Sequence, residues 1–305
     1  MKKRDVLLLL TVAVVWGVNF TVIKIGLQSV PPLFLVFLRY LFVAFPLIFF
    51  VKSPDVSWRV IAGYGLCIGV GQFSFLFCAI RAGMPAGLAS VVLQAQAIFT
   101  LILSSGFMGE RMGRIQIAGI MLAVFGLGLI GGFWGPGSDS IPTIAFLMCL
   151  MAAFFWGCAN VLVKRAAKES ERKGAPLNMM EMLVWSSVFV PLPMLGISLA
   201  GGEASAAFRV LTRLDGTAVF SVLYLVVLST LFSYYVWNKM IAVYSAGRVA
   251  PFSFLVPITG LLSAMLVHGE RVASSQWIGI AGVIAGLVVF QLGSRIQGGF
   301  ARTGT

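Results

Sequence analysis

The stretch Gly109-Glu110-Arg111, followed by Gln116, Gly119, Ile120, Gly126 and Leu127, returns 160 residues later. There it reads Gly269-Glu270-Arg271, followed by Gln276, Gly279, Ile280, Gly286 and Leu287. Trp16-Gly17 and Lys24 return at an offset of 140 as Trp156-Gly157 and Lys164. A chain that repeats itself at half its length is built from two similar units. The surroundings of the repeats decide their solvent. Of 305 residues, 59% are hydrophobic and only 10% charged, and the mean hydropathy is +1.00. A soluble domain carries roughly 25% charge. Here the charges fall between long apolar runs, the pattern of a chain that crosses a bilayer many times.

Ten runs are each long enough to span the bilayer as a helix: 5–25, 33–51, 59–80, 86–107, 114–132, 141–163, 179–200, 218–238, 248–267 and 275–293. Short links with breaker residues separate them, among them Pro31-Pro32, Ser53-Pro54-Asp55, Gly83-Met84-Pro85 and Gly135-Pro136-Gly137. The longest links, 164–178 and 201–217, account for the change in repeat offset. Met1-Lys2-Lys3-Arg4 resembles the start of a signal peptide, but further apolar runs follow at once, so it reads as an uncleaved first span.

With the N-terminus in the cytoplasm, 16 of the 22 Lys and Arg residues lie on the cytoplasmic side. That bias predicts both termini inside. Five spans per repeat is an odd number, so the second repeat enters the membrane upside down relative to the first. The expected fold is an all-α integral membrane protein of ten transmembrane helices, arranged as two inverted five-helix repeats over residues 1–135 and 136–305. Inverted repeats are the usual construction of secondary carriers, which hold substrate between the halves and expose it to each side in turn.

Other classes fare worse. The net charge of +12 invites nucleic acid, but the basic residues are scattered between spans and form no single patch. Cys67, Cys78, Cys149 and Cys158 lie in predicted spans without a Cys-x-x-Cys pair, and His268 is the single histidine. No disulfide framework, metal site or cofactor is expected from them. The chain has no phosphate-binding Gly-x-x-x-x-Gly-Lys-Ser/Thr loop, no Gly-x-Ser-x-Gly elbow and no His-Glu-x-x-His pair. It reads as a carrier and not as an enzyme.

Polar groups inside a span are costly unless paired or wetted, so each is a candidate for substrate contact. Asn19 follows Trp16 by three residues and Asn160 follows Trp156 by four, so each pair shares a helix face. Lys24 and Lys164 lie near the span ends, where a lysine can snorkel. Gln94 and Gln96 are two residues apart, about 200° on an α-helix, so one should face the cavity and the other a neighbouring helix. Gln94 is the expected cavity residue. Gln72 in span 3, Tyr234 in span 8 and Ser253 in span 9 complete the expected substrate set. Tyr234 and Tyr235 cannot both face inward. Pro257 lies within span 9, where a proline frees backbone carbonyls and suits a gate. Glu110 with Arg111 and Glu270 with Arg271 are expected gate pairs at opposite faces. Arg39 lies well inside span 2 and requires a carboxylate, carbonyls or water.

Ten spans in two halves, a Trp-Gly opening to each half and Gly-Glu-Arg before each last span resemble the EamA family of the drug/metabolite transporter superfamily. The resemblance covers essentially the whole chain. The segments Val14-Val15-Trp16-Gly17-Val18-Asn19-Phe20, Gly83-Met84-Pro85-Ala86-Gly87-Leu88-Ala89-Ser90, Leu93-Gln94-Ala95-Gln96-Ala97 and Arg248-Val249-Ala250-Pro251 are similar to amino-acid-metabolite exporters within that family. That similarity implies efflux of cysteine and O-acetylserine across a bacterial inner membrane. Its expected partners are a small amino-acid or metabolite substrate and the lipid bilayer. Rival readings are export of aromatic amino acids, drugs or other metabolites, and an intramembrane enzyme or lipid-handling protein. Uniport, exchange, proton coupling and any oligomeric state all remain compatible with the sequence.

Overall fold

The computed structural model describes residues 1–109, 112–134, 141–212, 215–244 and 246–302, with side chains described except at 246–247 and 294–302. Among these residues every regular element is helical. Ten apolar helices follow in chain order: α1 (Lys3–Ser29), α2 (Pro32–Phe49), α3 (Trp58–Arg81), α4 (Ala86–Met108), α5 (Arg114–Ile130), α6 (Thr143–Arg172), α7 (Met179–Ala200), α8 (Gly216–Tyr244), α9 (Ala250–His268) and α10 (Ser274–Gly293). Nine have the length and composition to cross a membrane. The other, α5, has 17 residues. This is a multi-pass membrane protein, and its exposed Phe107, Leu192 and Leu266 are the surface a lipid solvent demands.

Local chemistry sets the helix ends. Prolines open α2 at Pro32 and precede α4 and α6 at Pro85 and Pro142, where a missing N–H costs nothing. Asn178 Oδ1 accepts from the Met180 N–H at 3.0 Å and so caps α7. Link 164–178 is shorter than expected, because α6 continues to Arg172. Its tail Lys164–Arg172 is rich in the strong helix formers Ala, Lys, Glu and Arg. Link 201–217 holds a short helix, Ala204–Thr212.

The repeated motif is structural hardware. Gly109 and Gly269 end α4 and α9 with left-handed φ of 69° and 63°, a conformation that favours glycine. Gln116 Oε1 accepts from the Gly113 N–H at 2.9 Å, and Gln276 Oε1 accepts from the Ala273 N–H at 3.0 Å, closing the first turns of α5 and α10. Gly119, Gly126, Gly279 and Gly286 press α5 onto α10 backbone to backbone. A Cβ on Gly126 would lie 2.5 Å from the Gly279 carbonyl oxygen, and one on Gly279 would lie 2.6 Å from the Gly126 oxygen. Small residues allow this approach in a bilayer, where hydrophobic burial adds little between helices.

The Trp-Gly glycines do the same nearer the middle. Gly17 sits against Thr259 and Gly260 of α9, and Gly157 against Phe99 and Thr100 of α4. So α1 packs on α9 and α6 on α4, each pair joining one half of the chain to the other.

Four spans depart from α-geometry midway. π-Helical segments occupy Leu66–Phe73 of α3 and Tyr224–Phe232 of α8. Short 3-10 turns occupy Leu93–Ala95 of α4 and Ala250–Phe254 of α9. Such departures are frequent at functional sites. Pro257 is the third residue of the regular α segment Leu255–His268, directly after the 3-10 turn Ala250–Phe254. The irregular winding lies in the 3-10 turn before it.

Candidate functional site

The four irregular segments meet around a cavity of about 440 Å³. Eight helices line it, all except α5 and α10. Trp16, Asn19 and Phe20 come from α1, Arg39 from α2, and Tyr64, Gln72, Phe73 and Leu76 from α3. Ser90, Leu93, Gln94 and Gln96 come from α4, Trp156, Asn160 and Val163 from α6, and Met179 from α7. α8 adds Ser229, Tyr234, Trp237, Asn238 and Ile241, and α9 adds Ser253 and Val256. Gln72 and Ser229 sit on π segments, and Gln94 and Ser253 on 3-10 turns, so the irregular backbone carries polar groups to the lining. A larger hollow of about 780 Å³ lies between the α4 C-terminus and the basic tail of α6, lined by residues such as Phe107, Arg165 and Lys168. Only these two helices form it. It lacks the convergence of eight helices that marks the central cavity.

Hydrogen bonds hold much of the lining in place. The Trp16 indole Nε1 donates to the Ser229 carbonyl at 2.9 Å. The ring packs on Tyr234 and Trp237 with centroids 5.6 and 5.0 Å away. Asn19 Oδ1 accepts from Ser229 Oγ at 2.7 Å. Asn160 Nδ2 donates to Gln96 Oε1 at 2.7 Å and to Thr100 Oγ1 at 3.0 Å. The Trp156 and Gln94 side chains line the cavity with no hydrogen bond to any described residue, so they are the freer contacts. Ser253 Oγ donates to the Ala250 carbonyl at 2.7 Å. Tyr234 turns inward and Tyr235 outward, 53% exposed, as spacing on one helix demands.

Both Gln94 and Gln96 reach the cavity, contrary to the expectation that they separate. The 3-10 turn over Leu93–Ala95 tightens the winding to about 120° per residue and brings the two side chains closer in azimuth. Gln96 also ties α4 to α6 through Asn160. Arg39 stood out in the sequence as a cation in need of a partner but, like Tyr64, Ser229, Trp237 and Asn238, was not in the expected substrate set. Asn238 follows Tyr234 by four residues, a face-sharing signal that was available.

The expected partner of Glu270 was Arg271. The structure pairs it instead with Lys24 of α1, Nζ to Oε1 at 2.7 Å. The same carboxylate accepts from the Ala86 and Gly87 N–H groups at 2.8 and 3.0 Å, and so caps α4. Helix N-termini favour a carboxylate, and a neighbouring arginine cannot offer that geometry. Thr21 and Ser263 hydroxyls meet at 2.8 Å on the same seam, and the His268 imidazole lies 3.2 Å from the Thr21 carbonyl. Toward the opposite ends of the helices, Lys164 donates to Ser104 Oγ at 3.0 Å. Glu110 and Arg111 lie outside the described residues. Glu203, unremarked in the sequence, caps α2 in the manner of Glu270, accepting from the Phe34 N–H at 3.2 Å and from Ser198 Oγ at 2.6 Å.

An all-helical membrane body whose two halves enclose a polar, aromatic cavity defines a membrane carrier for small solutes. The EamA-like transporter family model matches the chain twice, over residues 3–132 and 143–292. The chain belongs to the EamA-like transporter family, and its members are transporters, not enzymes. Over 97% of its length it is 44% identical to a "Probable amino-acid metabolite efflux pump" of Salmonella typhimurium, of which 98% is covered. It is 42% identical to a protein of the same description from Escherichia coli K12, with 97% of each chain covered. A solved crystal structure, 17% identical, superposes with a TM-score of 0.58 over 97% of this chain and 99% of its own, a likeness in fold.

Proposed function

We propose that this protein exports small amino acids and related metabolites, cysteine and O-acetylserine foremost, across the bacterial inner membrane by alternating access. The cavity of about 440 Å³ carries this reading, because both halves build it and its lining mixes amide, hydroxyl and aromatic groups suited to a zwitterion. The similarity to efflux pumps of amino-acid metabolites supplies the direction and the substrate class. In this reading α5 is the tenth span, residues 1–135 and 136–305 are inverted repeats, and both termini face the cytoplasm.

The two seams are the gates. On the outer side Lys24, Glu270, Thr21 and Ser263 close α1 against α9, with Arg271 beside them. On the inner side Asn160, Gln96, Lys164 and Ser104 close α6 against α4. Opening one seam while the other holds exposes Trp16, Asn19, Gln72, Gln94, Trp156, Asn160, Tyr234 and Ser253 to one side at a time. The turn before Pro257 lets α9 bend.

The cavity volume favours a second reading. Pockets from about 300 Å³ upward accept drug-sized ligands, and the ring cluster of Trp16, Tyr234 and Trp237 suits an aromatic side chain. Counterflow in proteoliposomes separates the two. Vesicles loaded with unlabelled cysteine or O-acetylserine should transiently accumulate the labelled solute, and phenylalanine should compete weakly. Strong competition by phenylalanine favours the second reading, and no accumulation of either labelled solute refutes the first.

Gln94→Ala removes a side chain with no structural hydrogen bond. It should leave folding intact and slow transport about 5-fold, the loss of one hydrogen bond to substrate. Asn19→Ala should also lower stability by about 1 kcal/mol, because Ser229 Oγ loses its acceptor. Equal unfolding temperatures for the two variants would contradict this division.

A further inference from the structure

Among the described residues, four buried polar side-chain atoms have no hydrogen-bond partner: Arg39 Nη1, Gln72 Oε1, Ser221 Oγ and Asn238 Nδ2. Arg39, Gln72 and Asn238 all line the central cavity. Buried polar groups are satisfied almost everywhere in folded proteins, and each exception asks for an explanation. Convergence of three on one cavity is what a site leaves when its ligand supplies the missing partners.

Arg39 is the sharpest of them, at 3% exposure. Its Nε and Nη2 both donate to Thr230 Oγ1, at 3.2 and 2.9 Å. Its guanidinium carbon lies 4.0 Å from the Phe73 ring centroid. Neither neighbour carries a negative charge, and no described carboxylate lies within ion-pair distance of it. A cation buried in a span without an anion is costly, and such groups mark ligand pathways. Thr230 and Phe73 fix the plane of the guanidinium and leave Nη1 unused. Carboxylates are the natural partner of that planar fork. Gln72 Oε1 is an acceptor, suited to an ammonium group.

We propose that Arg39 is the carboxylate anchor of the substrate site and that Gln72 Oε1 receives the α-ammonium. The assignment rests on the exporter reading and narrows it. Substrates must carry a carboxylate beside an ammonium, and the remaining cavity volume sets the tolerance for their side chains.

The test reads binding apart from transport. Purified protein in detergent and chloride-free buffer is titrated with O-acetylserine and the common amino acids, each beside its carboxamide, and binding is read as thermal stabilisation. At least one acid should bind about 100-fold more tightly than its amide. Arg39→Gln should bind acid and amide equally weakly. Arg39→Lys keeps the charge without the fork, should fold, and should retain part of the preference. Equal binding of acid and amide by the wild type overturns the proposal, whatever the variants do. So does discrimination that survives in Arg39→Gln, or stabilisation by chloride alone. If cysteine and O-acetylserine fail but another acid shows Arg39-dependent preference, the substrate pair falls and the anchor stands. If no amino acid binds, both fall.

Discussion

Glu270→Ala should slow transport at least about 10-fold and destabilise the protein by about 3 kcal/mol. One carboxylate, 9% exposed, holds the Lys24 ammonium at 2.7 Å and the first two N–H groups of α4. The ion pair is the smaller share, because the Lys24 side chain is 34% exposed and water screens such pairs. The larger share is the pair of charge-assisted bonds at a helix N-terminus, left without an acceptor in the variant. Exchanging the charges, Lys24→Glu with Glu270→Lys, separates the two. A simple ion pair would be restored. Here the new lysine would face the positive end of α4, so the exchanged protein should behave no better than Glu270→Ala. Recovery of wild-type transport by the exchange would remove the capping role. With the seam loosened, a cysteine at Ser253 in a cysteine-free background should be labelled faster from the outer side.

Gly126→Val should be the most damaging change away from the cavity, at about 3 kcal/mol or more in thermal unfolding of the purified protein. Its Cβ would lie 2.5 Å from the Gly279 carbonyl oxygen and 2.7 Å from the Val283 nitrogen. Those are backbone atoms of α10 and cannot rotate away, so the two helices must part. Gly196→Ala is the internal control. Nothing lies within 4 Å of its added Cβ, and alanine gains about 0.5–1 kcal/mol over glycine in a helix. If the two substitutions behave alike, α5 and α10 do not pack as described. Neither helix lines the cavity, so a Gly126→Ala protein that still folds should keep its substrate preference.

Much of the fold is legible in the linear chain, because bilayer thickness turns hydrophobic length directly into helices. Prolines mark several starts and the two Gly-Glu-Arg glycines mark two ends. Trp16, Asn19, Trp156 and Asn160 were visible as polar or amphipathic groups where lipid tolerates few. The span ends were harder. The α6 tail is charged yet helical to Arg172, since helix propensity persists where hydropathy stops. Cavity geometry was harder still. A projection at 100° per residue separated Gln94 from Gln96, and the 3-10 turn between them undid the projection. The π segments of α3 and α8 have no comparable mark in composition, so the bonds of Ser229 to Asn19 and of Thr230 to Arg39 were not readable beforehand.

Hydrophobic spacing, the paired motifs and the breaker residues thus settle that this chain is a helical membrane protein built from two related halves, since each rests on local physics. Partnership belongs to the tertiary structure. Glu270 chooses Lys24 and the end of α4 over its neighbour Arg271, because a helix N-terminus brought from 184 residues away offers a carboxylate more than an adjacent arginine does. Arg39, too, found no carboxylate among the described residues once the helices were packed. Only the packed helices decide which polar groups satisfy one another and which are left for a ligand, because hydrogen bonds depend on distances that sequence separation does not encode.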